Sequence, residues 1–281
     1  MATATIIDGV SLASTVKEDL SRRVEAIDGR VSLDAVLVGE DQGAKLYAKN
    51  QAKACAKVGI EYTLHQLPAS ASHAQVEELI VSLNEDPAVT AIMVQMPLPD
   101  EVRTDVIQSL IAPHKDVEGV NPANIGNIVF GRRSLVPCTA LAVMEMIEST
   151  GIDLKGARAV CVGASTIVGK PVAVLLMQAE ATVISTNVYT KDHDELTLGA
   201  DILVSAAGVP NLIRTEMVKE GAIVIDVGIN RIEGADGKKR TVGDVDFDNV
   251  KEVAGFITPV PGGVGPMTVA MLLRNTVQAA E

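Results

Sequence analysis

A chain of 281 residues that is 47% hydrophobic and 21% charged can bury one large core or two of medium size, and this balance argues against disorder. A formal charge of -12, with no tryptophan, three tyrosines and three phenylalanines, excludes a surface that tracks phosphates or stacks on bases, so no nucleic-acid partner is expected. No stretch approaches about 18 uninterrupted apolar residues, and MATATIIDGV lacks the basic-then-apolar order of a leader, so a cytoplasmic protein with no membrane partner is expected.

In chain order, SLASTVKEDLSRRVEAI (11–27) has helical spacing behind a serine cap, and LDAVLVG (33–39) is a run suited to a buried strand. A helix is expected from about Gln42 to Val58, ended by Gly59. IEYTLHQL then reads as a strand, HAQVEELIVSLN as a helix and TAIMVQ as a strand. This alternation is the pattern of βαβ units in a parallel sheet. The Pro/Gly/Asn-rich stretch PHKDVEGVNPANIGN (113–127), followed by VPCTA (136–140), breaks the rhythm and reads as an interdomain crossing. After a helix from about Leu141 to Ser149, RAVCVG, VGKPVAVLLMQAE and ATVIST give strand, helix and strand. Three more strands follow in ADILVSAAG, GAIVIDVGIN and GFITPV. The closing MTVAMLLRNTVQAA is an apolar helix expected to return to the first domain. The expected fold is therefore α/β, with one domain at 1–140 plus 268–281 and a second at 141–267.

Cys55, Cys138 and Cys161 are scattered, as are His65, His73, His114 and His193, and no CxxC, HxxH or HExxH spacing occurs. No metal site is expected, and the cysteines read as small buried hydrophobes in a reducing compartment.

In RAVCVGASTIVGKPVAVLL a buried strand runs into Gly163, then Ser165, Gly169 and a helix with Pro171 in its first turn. Backbone N–H groups and a helix N-terminus placed this way can approach a pyrophosphate. The end of the next strand, where the ribose is selected, reads STNVYT (185–190). It holds neither an acidic residue for a ribose diol nor an arginine for a 2′-phosphate, so these residues alone leave NAD and NADP both open.

The segment PVPGGVGP (259–266) packs three glycines and three prolines ahead of an abrupt helix start. Together with VQMPLP (94–99), KDVEGVNPANIGN (115–127), VPCT (136–139), STIVGKPVAVLL (165–176), ADILVSAAGVPN (200–211) and AIVIDVGIN (222–230), it closely resembles the bifunctional methylenetetrahydrofolate dehydrogenase/cyclohydrolase family. The motifs run in family order from about residue 6 to the C-terminus. The resemblance implies two α/β domains around a cleft, the second a Rossmann-like doubly wound parallel sheet, and a homodimer through the nucleotide domains. It implies a reduced one-carbon pterin as substrate, held by Tyr47, Gln95, Glu118 and the loop of Pro261, Gly262, Gly263 and Pro266. It also implies that Gly163, Ala164, Ser165, Ile167, Val168, Gly169 and Asn187 hold the dinucleotide. Ala207, Gly208, Gly228, Ile229 and Thr268 would then lie at its nicotinamide.

Three departures from the family pattern bear on activity. Family members carry Ser-x-x-Tyr-x-x-x-Lys where this chain has Ala44, Tyr47 and Gln51. Lys49 and Lys53 lie about 160° and 120° around the helix from Tyr47, so neither takes over the lysine's place. A glutamine amide cannot pass protons, so the expectation is a dehydrogenase with weak or absent cyclohydrolase activity. The catalytic set is then Tyr47, Gln51, Gln95 and Glu118. Glu118 stands where the family has aspartate, which keeps open a tetrahydromethanopterin-type carrier. GAS (163–165) replaces Gly-Arg-Ser and Asn187-Val188 replaces His-Ser, so NAD is favoured over NADP. A fully bifunctional enzyme and a non-catalytic nucleotide- or folate-binding protein are the other readings.

Overall fold

The computed structural model describes residues 3–132, 134–233, 237 and 239–281. In its first half come β1 (Thr5–Ile6), α1 (Gly9–Glu25), β2 (Ser32–Val38), α2 (Gln42–Val58), β3 (Glu61–Leu67), α3 (His73–Glu85), β4 (Ala91–Val94), α4 (Thr104–Leu110), α5 (Pro122–Val129) and α6 (Cys138–Glu148). The second half holds β5 (Arg158–Val162), α7 (Gly169–Gln178), β6 (Thr182–Thr186), α8 (His193–Leu198), β7 (Ile202–Ser205), β8 (Ile223–Asp226), β9 (Asn230–Glu233), β10 (Lys239–Val242), α9 (Phe247–Val250), β11 (Phe256–Ile257) and α10 (Val264–Ala280).

The chain divides into two compact units, Met1–Ala13 with Thr139–Thr268 and Ser14–Cys138 with Val269–Glu281. The first thirteen residues, expected with the pterin domain, thus cluster with the nucleotide sheet. Backbone pairing accounts for this, because β1 lies parallel to β11 with Thr5 opposite Phe256 and Ile6 opposite Ile257.

In the unit built on residues 14–138, three parallel strands lie in the order β3-β2-β4. All seven residues of the central β2 are buried, which is why its sequence is a nearly continuous apolar run rather than an alternating one. Val36 and Val94 pack with Val76 and Ile80 of α3 and Ile107 of α4 in one core. The α2 helix starts on the Asp41 side chain, which accepts from the Ala44 N–H, and stops at Gly59 in the left-handed region at φ 84°. Its buried stripe is Ala44, Ala48, Gln51, Cys55 and Val58, a three-to-four spacing that carries Gln51 inward. The last thirteen residues join this unit, where Asn275 Nδ2 donates to the Val117 and Val136 carbonyls at 2.8 Å each.

Two local expectations are corrected. The first helix begins at Gly9, not at a Ser11 cap, because Asp8 Oδ1 accepts from the Val10 and Ser11 N–H groups and Ser11 Oγ donates to Asp8 Oδ2. Of the expected crossing, VPCTA (136–140) holds the boundary between the units, at Cys138 and Thr139, and the 113–127 stretch does not. That stretch lies within a single unit and ends in α5, where Asn121 Oδ1 accepts from the Ala123 N–H and Pro122 opens the first turn.

The other unit holds six parallel strands in the order β1-β11-β8-β7-β5-β6. From β5 the chain goes through α7 to β6 on one side, then returns so that β7 pairs on the other side of β5. The switch in direction therefore falls between β5 and β7, and ligands of such sheets bind beyond the carboxyl ends of the strands at that point. Val160, Leu203 and Val224 of the three adjacent strands form its core with Ile257.

Leu203 on β7 is fully buried in that core. Leu203→Ala is expected to cost about 2–5 kcal/mol of unfolding free energy. Urea denaturation followed by circular dichroism measures it, and a loss below about 1 kcal/mol would contradict the packing described.

Candidate functional site

Gly163 ends β5 at φ 98°, and a Cβ there would stand 2.4 Å from the Ala206 carbonyl oxygen at the end of β7. A Cβ on Gly169 would stand 1.9 Å from the Gly163 oxygen. Both glycines are thus required by close backbone approach at the sheet's switch point. Ser165 Oγ accepts from the Val168 and Gly169 N–H groups at 3.3 Å each and so caps the start of α7. Over this turn opens a cavity of about 520 Å³, with Gly163, Ala164, Ser165, Asn187 and Ala207 in its lining, all expected from sequence. Val188, Thr190 and His193 also line it, and no signal in the sequence singled out the last two. Gly169, Ile167, Val168, Gly208, Gly228, Ile229 and Thr268 are not among its lining. Asn187 shapes its own turn, its Oδ1 accepting from the Tyr189 N–H and its N–H donating to Thr190 Oγ1, both at 2.9 Å.

Beneath the expected nicotinamide segments lie two buried carboxylates that the sequence reading missed. Asp244 Oδ2 accepts from the N–H groups of Ala207 at 2.7 Å and Gly208 at 3.0 Å and from Ser205 Oγ at 3.1 Å. Its Oδ1 accepts from Asn230 Nδ2 at 3.0 Å. Asp226 Oδ1 accepts from the Gly228 and Asp244 N–H groups and Oδ2 from the Val245 N–H, each at 2.9 Å. Burial pushes the Asp226 carboxyl up to about 6, against the pull of those N–H groups. A signal was present, since a lone Asp in the apolar run AIVIDVG must find hydrogen-bond partners once buried.

The Pro-Gly loop lies in the same unit. Gly262 is at φ 107°, and Gly263 packs so closely that a Cβ would meet the Pro259 oxygen at 2.5 Å. Pro261 follows a cis bond, Pro266 falls in the first turn of α10, and Thr268 Oγ1 donates back to the Val264 carbonyl at 3.1 Å.

The other candidate residues gather in the unit of residues 14–138. Gln51 is buried on α2, and its Oε1 accepts from Gln95 Nε2 at 2.6 Å and from Tyr62 Oη at 3.5 Å. Its Nε2 donates to Met93 Sδ at 3.2 Å. Tyr62 and Met93 complete the cluster and were not anticipated. The Tyr47 hydroxyl is pushed up to about 12 by burial and then by the fields of Glu118 and Cys138, with a Gln51 hydrogen bond opposing. Glu118 is pushed up to about 7 by burial and by neighbouring Asp116, while the Val94 N–H works the other way. Asp116 Oδ2 in turn accepts from the Asn121 N–H at 2.7 Å and from Asn124 Nδ2 at 2.9 Å. Tyr47, Gln51, Gln95 and Glu118 are thus linked by contact or by field. Among the described residues no group of three or more His, Cys, Asp or Glu could hold a metal ion, and no helix is long and apolar enough to cross a membrane.

Comparison with known proteins matches residues 7–118 to the tetrahydrofolate dehydrogenase/cyclohydrolase catalytic domain and residues 137–281 to the NAD(P)-binding domain of the same family. The bifunctional protein FolD of Moorella thermoacetica is 49% identical over 99% of both chains. Among solved structures, the bifunctional FolD methylenetetrahydrofolate dehydrogenase/cyclohydrolase of Campylobacter jejuni superposes with a TM-score of 0.94 at 44% identity, covering 99% of this chain and 98% of its own. The Trypanosoma brucei enzyme, complexed with NADP and an inhibitor, gives 0.92 at 38% identity over 100% and 98%. The NAD-dependent 5,10-methylenetetrahydrofolate dehydrogenase of Saccharomyces cerevisiae gives 0.79 at 26% over 99% and 97%.

Glu118 carries a stability prediction. Folding raises its proton affinity, so its contribution to stability is present below the ordinary value of 4.5 and is lost as pH rises through about 7. Glu118→Gln is therefore expected to gain in melting temperature relative to the parent as pH goes from about 5 to about 8. A melting difference that stays flat over that range would show that the carboxyl titrates normally.

Proposed function

The chain belongs to the tetrahydrofolate dehydrogenase/cyclohydrolase family, and we propose that it is a methylenetetrahydrofolate dehydrogenase in which the second activity, hydrolysis of the methenyl product, is weak or absent. The NAD(P)-dependent dehydrogenase activity comes with the family. The finer reading rests on one observation: where the family pattern has a lysine, this chain has the amide of Gln51, with Oε1 taken by Gln95 and Tyr62 and Nε2 by Met93.

The two reactions ask different things of that position. As hydride leaves the methylene carbon, N5 and N10 of the folate share the developing positive charge, so the chain's task is alignment and no protein base is needed. Tyr47, a partly exposed residue whose hydroxyl end is desolvated, is suited to lie against the pterin, and Gln95 to fix it from the side. Glu118 offers a carboxyl to the ring N–H and amino group. Hydrolysis instead requires a water to lose a proton and the departing nitrogen to gain one. An amide whose oxygen and nitrogen are both already engaged does neither.

NAD(P), when bound, accepts the hydride. The cavity at the β5–β7 switch point fits such a group, with Gly163, Ala164 and Ser165, the turn that leads into α7, in its lining. Its lining contains Ala164 and Val188 and neither lysine nor arginine. A 2′-phosphate thus lacks the guanidinium that would hold it, which favours NAD. The same reading has the protein act on a reduced folate in the cytoplasm, as a homodimer.

A second reading keeps the hydrolysis and is favoured by Glu118, whose carboxyl titrates close to neutrality. Glu118 would then supply the proton transfer that Gln51 cannot.

Purified protein is expected to reduce NAD with methylenetetrahydrofolate at a kcat/KM above that for NADP, read at 340 nm. A clear NADP preference would refute the coenzyme assignment. Methenyltetrahydrofolate is expected to decay at the buffer rate, and Gln51→Lys to raise that decay by about 10²-fold or more. Fast decay with the unaltered protein, abolished in Glu118→Gln, would favour the second reading instead.

A further inference from the structure

Asp244 is fully buried on the segment between β10 and α9, and its carboxylate is held by backbone and side-chain hydrogen bonds. Its whole acceptor capacity goes to one place. Oδ2 takes the consecutive N–H groups of Ala207 and Gly208, the latter at φ 70°, and Oδ1 takes Asn230, two residues beyond Gly228. Consecutive N–H groups in such a turn form a concavity for an anion, and here a carboxylate of the chain itself fills it. Both amides are therefore withdrawn from any ligand, and the polar groups the loop can still offer are carbonyl oxygens, acceptors suited to an amide NH₂.

The opposing segment depends on the same pair of acids. Asp226 holds the Gly228 N–H and also the N–H groups of Asp244 and Val245, so one carboxylate fixes the segment that carries the other. Gly228 closes over Asp244 so tightly that a Cβ would come within 2.1 Å of its Oδ1. The two backbone stretches expected at the nicotinamide, 207–208 and 228–229, thus meet on one buried side chain.

We propose that Asp244 is a positioning residue for NAD(P): by consuming the Ala207 and Gly208 N–H groups it turns a carbonyl face toward the carboxamide of the nicotinamide and fixes its distance from Gly228. The role rests on the dehydrogenase reading above. A buried acid with a purely structural role would, on loss, lower stability and the active fraction without distinguishing one substrate from the other.

Asp244→Asn keeps the shape but sets an NH₂ donor among N–H donors. NAD binding to the free protein, followed by isothermal titration, is expected to weaken about tenfold. In turnover the KM for NAD is expected to rise and kcat to fall, while the KM for methylenetetrahydrofolate stays within about twofold. An unchanged Kd, or a rise in both KM values together, would overturn the proposal. Should Asp244→Asn yield no folded protein, Asn230→Ala decides by the same titration, with a two- to fivefold loss expected from removing one donor and no loss counting against it. Because the titration needs no folate, a protein that binds NAD yet never reduces it would sink the dehydrogenase reading while the shift in Kd still decides the part played by Asp244.

Discussion

A single amide-to-amide contact, Gln95 Nε2 to Gln51 Oε1 at 2.6 Å, holds together the part of the molecule where chemistry is expected. Gln51 sits in a helix stripe that is otherwise alanine, cysteine and valine, and a polar group buried there must be satisfied or it costs stability. It is satisfied by one residue from the end of β4, one from within β4 and one from β3, so two strands of the small parallel sheet converge on it. A lysine in that stripe would place an ammonium where Gln95 and Tyr62 now donate, and its proton would be available for transfer. The glutamine present is held by neutral hydrogen bonds and has no acidic proton to transfer.

The nucleotide unit is organised by the opposite means. There the convergence is on carboxylates, Asp226 and Asp244, both held by backbone N–H groups rather than by cations. Glycine is the enabling residue, because Gly228 and Gly243 would each drive a Cβ to within 2.1 and 1.8 Å of a carboxylate oxygen. The loops are thus shaped by the interior of the chain before any ligand arrives, which lowers the ordering cost of binding.

Much of this was legible in the residues. The buried strand runs 33–39 and 158–163, the glycine stop at 59 and the glycine-bearing turn at 163–169 each follow from a local rule about burial or backbone freedom, and each appears in the fold. The stretch 113–127 did not yield, because Pro and Asn open a helix as readily as they make a linker, and only the Asn121 cap distinguishes the two. Likewise β1 is two residues long and gains its place solely from pairing with β11, some 250 residues away, a contact no local window contains. In the candidate site, Tyr47, Gln51, Gln95 and Glu118 were named through the resemblance to the family, and the structure links them by contact or by field. Tyr62, Met93 and Asp244 were not, since what marks them is the groups they touch, a property of three-dimensional contact.

Charge joins the two halves of the reading. With a formal charge of -12 the protein repels anions at long range, so a dinucleotide must be captured by short-range donors. On the proposed reading the positive end of the α7 dipole meets the pyrophosphate, but a 2′-phosphate would add further negative charge at a cavity lined by Ala164 and Val188. The same absence of local cations recurs at Gln51. On the proposed reading the reaction served at both positions is hydride transfer, which needs its partners aligned and in which the developing charge lies on the folate's own nitrogens.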